Sequence, residues 1–211
     1  MKSDSPAVTE SPAREWLLRL LAVLLYAIGV SNIARAWWAE PMRWTLVALL
    51  VTEAYALVLL VCARRATIRD TSLVALVATT YSMFYYVFFD PGRTMALISE
   101  LAGVGFYFAG AACQFAAKLL LGRSFGLLPA QRGVVISGPY RIVRHPMYVG
   151  YLIGQMGFIL VNFSWRNLSV VVGVCLALGL RIVREEAVLA FSDDYRAYQR
   201  RVRWRLLPYV F

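Results

Sequence analysis

Six apolar runs, separated by short polar or arginine-bearing turns, constrain this chain more than any other feature. They run from about Trp16 to Trp38, Trp44 to Ala63, Thr71 to Phe89, Thr94 to Leu121, Pro146 to Val161 and Leu168 to Val183. A helix needs about 20 such residues to cross the hydrocarbon of a bilayer. Inside lipid each segment must satisfy its own backbone N–H and C=O groups, so the runs are expected to be helices. Charged residues are 16% of the 211 and hydrophobic ones 60%, against roughly a quarter charged in a soluble domain. The fold expected is all-α: a polytopic transmembrane helical bundle of five to six membrane segments. Its last two segments form a helical hairpin, and a polar pocket opens on the cytosolic face.

The net charge is +10, but the arginines sit between and beside apolar runs, where they act as topology signals. Nucleic acid is therefore not the expected partner. With the N-terminus inside, one face collects Lys2, Arg14, the Arg64 cluster, Lys118, Arg123, Arg132, Arg141, Arg144 and the C-terminal arginines. The other face has Arg35, Arg43, Arg93 and Arg166. Both termini are thus expected in the cytoplasm. Cys62, Cys113 and Cys175 lie inside apolar runs without a C-x-x-C pair, and the chain has one histidine. That composition offers no metal cluster. No cleavable signal peptide is evident. The organisation expected is a disordered arm over 1–15, three amino-terminal spans over 16–93, and a chemistry-bearing region over 94–211.

Several residues stand out against the apolar background. Glu53, in mid-span, is either a protonated structural donor or part of a polar interior. Gly103, Gly105 and Gly110 in the fourth run suit close helix packing, or leave room for a flat ligand. Gln114, in the same run, faces either a site or a partner helix. The polar stretch 122–145 is too long for a mere connector. Its apolar Leu127, Leu128, Val134, Val135, Ile136 and Tyr140 argue for order at the membrane surface. The last two runs are short, so they cross as a thin hairpin or are partly re-entrant, with a turn over 162–167. Either way the chain goes out and returns, which places His145 and the Glu185-Glu186 pair on one face. The tail from Ala187 reads as an amphipathic surface helix and an extended end. Its Tyr195, Tyr198, Arg196, Arg200, Arg201, Arg203 and Arg205 are expected to snorkel to headgroups of membrane lipids.

The most polar run is Gly138-Pro139-Tyr140-Arg141-Ile142-Val143-Arg144-His145-Pro146-Met147-Tyr148-Val149-Gly150. Pro146 suits the first turn of the helix that follows. Arg144 and His145 then flank the positive end of its dipole, where an anionic group is favoured. The structural alternative for His145 is a helix cap. For the glutamates it is an ion-paired cluster with Arg184.

This run, followed by a hairpin, Glu185-Glu186-x-x-Leu189, then Tyr195, Tyr198 and Pro208, resembles the integral-membrane methyltransferases. That group includes the isoprenylcysteine carboxyl and phospholipid N-methyltransferases. Leu121-Gly122-Arg123-Ser124-Phe125 is also similar to the segment before the family's loop, so the resemblance covers roughly the second half of the chain. It implies S-adenosylmethionine as cofactor, bound by Tyr140, Arg144, His145, Pro146, Tyr148, Gly150, Glu185 and Glu186. Arg144 and His145 suit its carboxylate, the glutamates its ammonium and ribose hydroxyls, and Tyr140 and Tyr148 its sulfonium. The acceptor implied is a lipophilic small molecule or lipidated substrate, with Arg201 or Arg203 orienting a carboxylate and Glu186 serving as base for an amine. Two rival readings are a nicotinamide-dependent membrane sterol or acyl reductase and a non-catalytic transporter or scaffold. Met147 and Tyr151 depart from the reductase pattern at the asparagine and glutamate positions. Oligomeric state is not readable from the sequence.

Overall fold

The computed structural model describes residues 7–9, 12–39, 41, 44–88 and 95–210. Seven helices lie along them: α1 (Pro12–Ala39), α2 (Trp44–Cys62), α3 (Leu73–Phe84), α4 (Glu100–Leu121), α5 (Pro146–Val161), α6 (Trp165–Leu189) and α7 (Asp193–Arg201). Among the described residues, three stretches are long and apolar enough to cross a membrane: Glu15–Ala39, Glu100–Ser124 and Trp165–Leu189. Leu17, Leu20, Leu24 and Ile28 are exposed along α1, as expected of side chains that face lipid rather than water. The chain is a membrane protein. α3 and α5 are shorter apolar helices.

Several boundaries differ from the sequence reading. Part of the expected disordered arm has structure: strand β1 (Ala7–Thr9) pairs antiparallel with β2 (Ile68–Asp70), and α1 begins at Pro12. Glu15 is buried there and pairs with Arg19 and Arg69, which a polar arm does not foretell. The fourth run becomes helical only at Glu100, because the Ser99 hydroxyl caps it by accepting from the Ala102 amide. Before it, Met95 exchanges two backbone hydrogen bonds with Phe163. α6 is longer than its apolar run and is not re-entrant in length: Ser164 caps it at the Asn167 amide, and the helix continues through Glu185 and Glu186.

The glycines of α4 divide. A Cβ on Gly110 would lie 2.6 Å from the Gly150 carbonyl and 2.8 Å from the Gly154 nitrogen, and one on Gly103 would collide with Val161. These two glycines let α4 and α5 touch backbone to backbone, the close approach that small residues permit. Gly105 has open space beside it. The tight partner of α5 is thus α4, while α6 packs on α3. The hairpin returns as expected, but its two arms are held mainly by other helices. The core centres on Ala56, Leu60, Ala117, Tyr148, Leu178 and Ile182. Glu53 proves part of a polar interior: it accepts from the Tyr26 hydroxyl and pairs with Lys118 at 3.3 Å. Lys118, expected to mark a membrane face, is fully buried.

Candidate active site

The site forms where the start of α5 meets the end of α6. Gly138 opens the approach at φ +56°, a left-handed conformation that glycine adopts without steric cost. The following 3-10 turn, Gly138–Arg141, buries Tyr140 and exposes Arg141. Pro146 then takes the first position of α5, with His145 at the N-cap. The His145 side chain makes no cap hydrogen bond. Its ring instead lies 3.2 Å from Glu186 through Nε2 and 3.8 Å from Glu185 through Nδ1.

Glu186 is the hub. One oxygen accepts from Arg144 Nε at 2.7 Å and faces the His145 ring; the other accepts from Arg205 Nε at 2.8 Å. Glu186 is 5% exposed, so a carboxylate here requires the two guanidiniums to offset its lost hydration. Glu185 faces the other way. It accepts from the buried Tyr148 hydroxyl and lies 3.8 Å from Arg181, whose guanidinium sits 5.4 Å over the Tyr148 ring. Arg184 pairs with Asp70 rather than with either glutamate, so the alternative of an Arg184–glutamate cluster is not what forms; the glutamates' ion pairs are with Arg144, Arg205 and Arg181.

The tail closes the cluster. The amides of Arg144 and His145 donate to the carbonyls of Trp204 and Arg205, both at 2.9 Å. Arg144 Nη1 donates to the carbonyls of Val202 and Arg203 at 2.7 and 2.9 Å. Tyr195 and Tyr198 are buried against Val202, and Tyr198 donates to the Tyr140 carbonyl at 2.6 Å. These tyrosines therefore pack inward rather than snorkel. Burial pushes the Tyr140 and Tyr195 hydroxyls well up and Tyr198 up to about 12, so all three stay protonated at neutral pH. Among the described residues, the buried Tyr195 hydroxyl has no hydrogen-bond partner.

The model of the phospholipid methyltransferase family matches residues 92–192. This segment, a little under half of the chain, is similar to the phospholipid methyltransferase family. Protein-S-isoprenylcysteine O-methyltransferase of Schizosaccharomyces pombe is 32% identical over 114 residues, which covers 50% of this chain and 48% of that protein. The chain thus spans about half the length of the curated relative it matches.

Tyr140, Arg144, His145, Pro146, Tyr148, Gly150, Glu185 and Glu186 all lie inside the matched segment. Of these, Arg144, His145, Tyr148, Glu185 and Glu186 are joined directly. Tyr140 is not joined to them by its side chain: its carbonyl accepts from Tyr198, and its hydroxyl is directed to the Ala117 carbonyl of α4 at 3.5 Å. Pro146 is fully buried, and its carbonyl faces Cys113. Gly150 serves the helix contact, with Gln114 and the Gly110 carbonyl filling the space of its missing side chain. The side chains of Arg201 and Arg203 are exposed, and the arginine that reaches Glu186 is Arg205. Sequence reasoning missed Arg205 because three arginines alternate along an extended tail, and only the pairing of that tail with Arg144 and His145 selects among them. It also placed the Tyr195 hydroxyl in the headgroup layer, since a Tyr-x-x-Tyr spacing looks the same on a lipid-facing helix as on a buried one.

Proposed function

We propose that this protein is a membrane-embedded methyltransferase that moves a methyl group from S-adenosylmethionine to a lipophilic acceptor, an isoprenylcysteine-type carboxylate or a lipid amine, at the cytosolic membrane face. The observation that carries this reading is the convergence of Arg144, His145 and Arg205 on Glu186, inside and just beyond the matched family segment.

The donor set fits the cofactor. Two guanidiniums and an imidazole gather at the N-terminus of α5, which suits a carboxylate. Glu185 and Glu186 supply acceptors for an ammonium and for hydroxyls. The buried Tyr195 hydroxyl, unpartnered among the described residues, carries a hydrogen-bonding capacity that is costly unless something meets it. When bound, the cofactor supplies an electrophilic methyl group. The chain's own contribution is positioning and exclusion of water. Tyr148 fixes Glu185, the tail carbonyls fix Arg144, and the packed tail screens the cluster. For a carboxylate acceptor no proton need move. For an amine acceptor the sequence offers Glu186 as base. Burial would raise its carboxyl, but hydrogen bonds from His145, Arg144 and Arg205 hold it down to about 2, which makes it a weak base and favours a carboxylate acceptor. The exposed Arg201 and Arg203 are the proposed contacts to that carboxylate.

The test is binding first and turnover second. S-Adenosylhomocysteine at 100 times its dissociation constant should stabilise the purified chain by about 2.7 kcal/mol. Tyr195→Phe should keep the fold and weaken that stabilisation. Radiolabelled methyl donor with whole-membrane extract should then label a lipophilic product. Absence of both stabilisation and label sinks the proposal.

A further inference from the structure

The tail is bound along its middle and bare at its end. The carbonyls of Val202, Arg203, Trp204 and Arg205 all accept from Arg144 or His145, and Leu206 packs against the core around Tyr148 and Ile182. The chain then turns, and Leu207, Tyr209 and Val210 are 50, 87 and 76% exposed. Tyr209 takes a positive φ of 68°, and among the described residues it is the only non-glycine to do so. Its ring lies 5.2 Å from that of Trp204. A side chain in the left-handed region is strained, and such strain persists where the surroundings hold it in place. An exposed apolar cluster beside it marks a contact surface.

The depth of the turn identifies what it meets. α5 has 16 residues, about 24 Å at 1.5 Å per residue, against about 30 Å of hydrocarbon in a bilayer. A bilayer accommodates so short a helix by thinning or by taking in the residues that flank it. The tail is hydrogen-bonded beside the first turn of α5, so its end lies at the boundary of the leaflet rather than out in water. Its composition suits that depth. It has an aromatic pair, an aliphatic pair and, from Tyr195 to Val210, five arginines with no acid, the character of a segment at lipid headgroups. A second copy of the chain suits it less, because a two-fold contact would set this basic segment against itself. We propose that the turn over 206–210 docks into the phospholipid leaflet on the side of the Glu186 cluster. Leu207, Tyr209 and Val210 enter the headgroup boundary, and this contact holds the tail closed over the cluster.

The full chain is reconstituted in nanodiscs containing phosphatidylglycerol, with photoreactive benzoylphenylalanine in place of Tyr209. Irradiation is expected to yield a lipid adduct of the chain, read by mass spectrometry. A crosslinked second copy, or no lipid adduct, overturns the docking. The second arm is Leu207→Ser with Val210→Ser, which removes apolar surface and keeps every charge. The amides of Arg144 and His145 donate to the tail carbonyls, so their hydrogen exchange reports whether the tail is closed. In nanodiscs the double variant should exchange there at least about tenfold faster than the parent, while exchange in α4 stays unchanged and shows that the fold is kept. Equal exchange at Arg144 and His145 in variant and parent overturns the closure. Neither readout uses a methyl donor, so failure of this docking and failure of the methyl-transfer reading are separate results.

Discussion

Two buried ionic clusters in this protein differ in how their charges are matched. Between α1, α2 and α4, one carboxylate, Glu53, meets one ammonium, Lys118, and one hydroxyl, Tyr26. At the α5–α6 junction, one carboxylate, Glu186, meets two guanidiniums and an imidazole, with an unpartnered tyrosine hydroxyl close by. The first cluster is matched one to one and ties three helices together. The second brings three donors to one carboxylate, where the start of α5 meets the end of α6. Burial is common to both; the surplus of donors is the ground on which we propose the second as a binding site and read the first as a structural tie.

The largest effect expected is at the hub. Glu186→Ala leaves Arg144, His145 and Arg205 together without their shared anion. Breaking a buried pair in this way costs about 3–5 kcal/mol, and S-adenosylhomocysteine binding should be lost with it. Thermal melting and a binding isotherm on the same sample check both. Lys118→Met should also destabilise, by about 3 kcal/mol, because it strands Glu53, yet donor binding should persist. The pair Lys118→Met with Glu53→Gln should recover most of that loss. If Lys118→Met removes binding while the melt is unchanged, the interior cluster belongs to the site and the contrast fails.

A smaller effect is expected where the two regions are joined. Gly110→Ala drives a methyl into the backbone of α5 and should cost about 1–3 kcal/mol, read as a lower Tm. The smallest effect concerns pH. Burial would raise the Asp70 carboxyl, but hydrogen bonds from Arg184 and Ser72 outweigh it and hold the group below its ordinary value. A depressed native value means that the stability it contributes is present above the unfolded value of about 3.9 and is lost as pH falls through the native one. Unfolding midpoints measured between pH 5 and pH 3 should therefore fall more steeply in the parent protein than in Asp70→Asn.

Legibility differed between the two clusters for a physical reason. Arg144, His145 and Pro146 are consecutive, and Glu185 and Glu186 are adjacent, so their chemistry stood out from an apolar background. A there-and-back path was enough to put them on one face. Glu53 and Lys118 are 65 residues apart on different helices, each alone in an apolar run. Nothing local says that they meet. Gly103 and Gly110 were readable as contact points, while Gly105, identical in composition and neighbouring in sequence, lies in open space. Helix rotation decides that, and rotation is set by the partner helix.

The sequence by itself determined that the chain fills a membrane with helices and that its polar chemistry gathers at the ends of two of them. Hydropathy and motif spacing are properties of short stretches, so they survive without knowledge of neighbours. Only the tertiary structure decided that Glu186 rather than Glu185 is the hub, that Arg205 rather than Arg201 or Arg203 reaches it, and that the tail folds inward over the site. Those outcomes depend on which rotamer and which backbone edge face each other after packing, and a few ångströms of helix rotation, invisible in any local pattern, choose among chemically equivalent side chains.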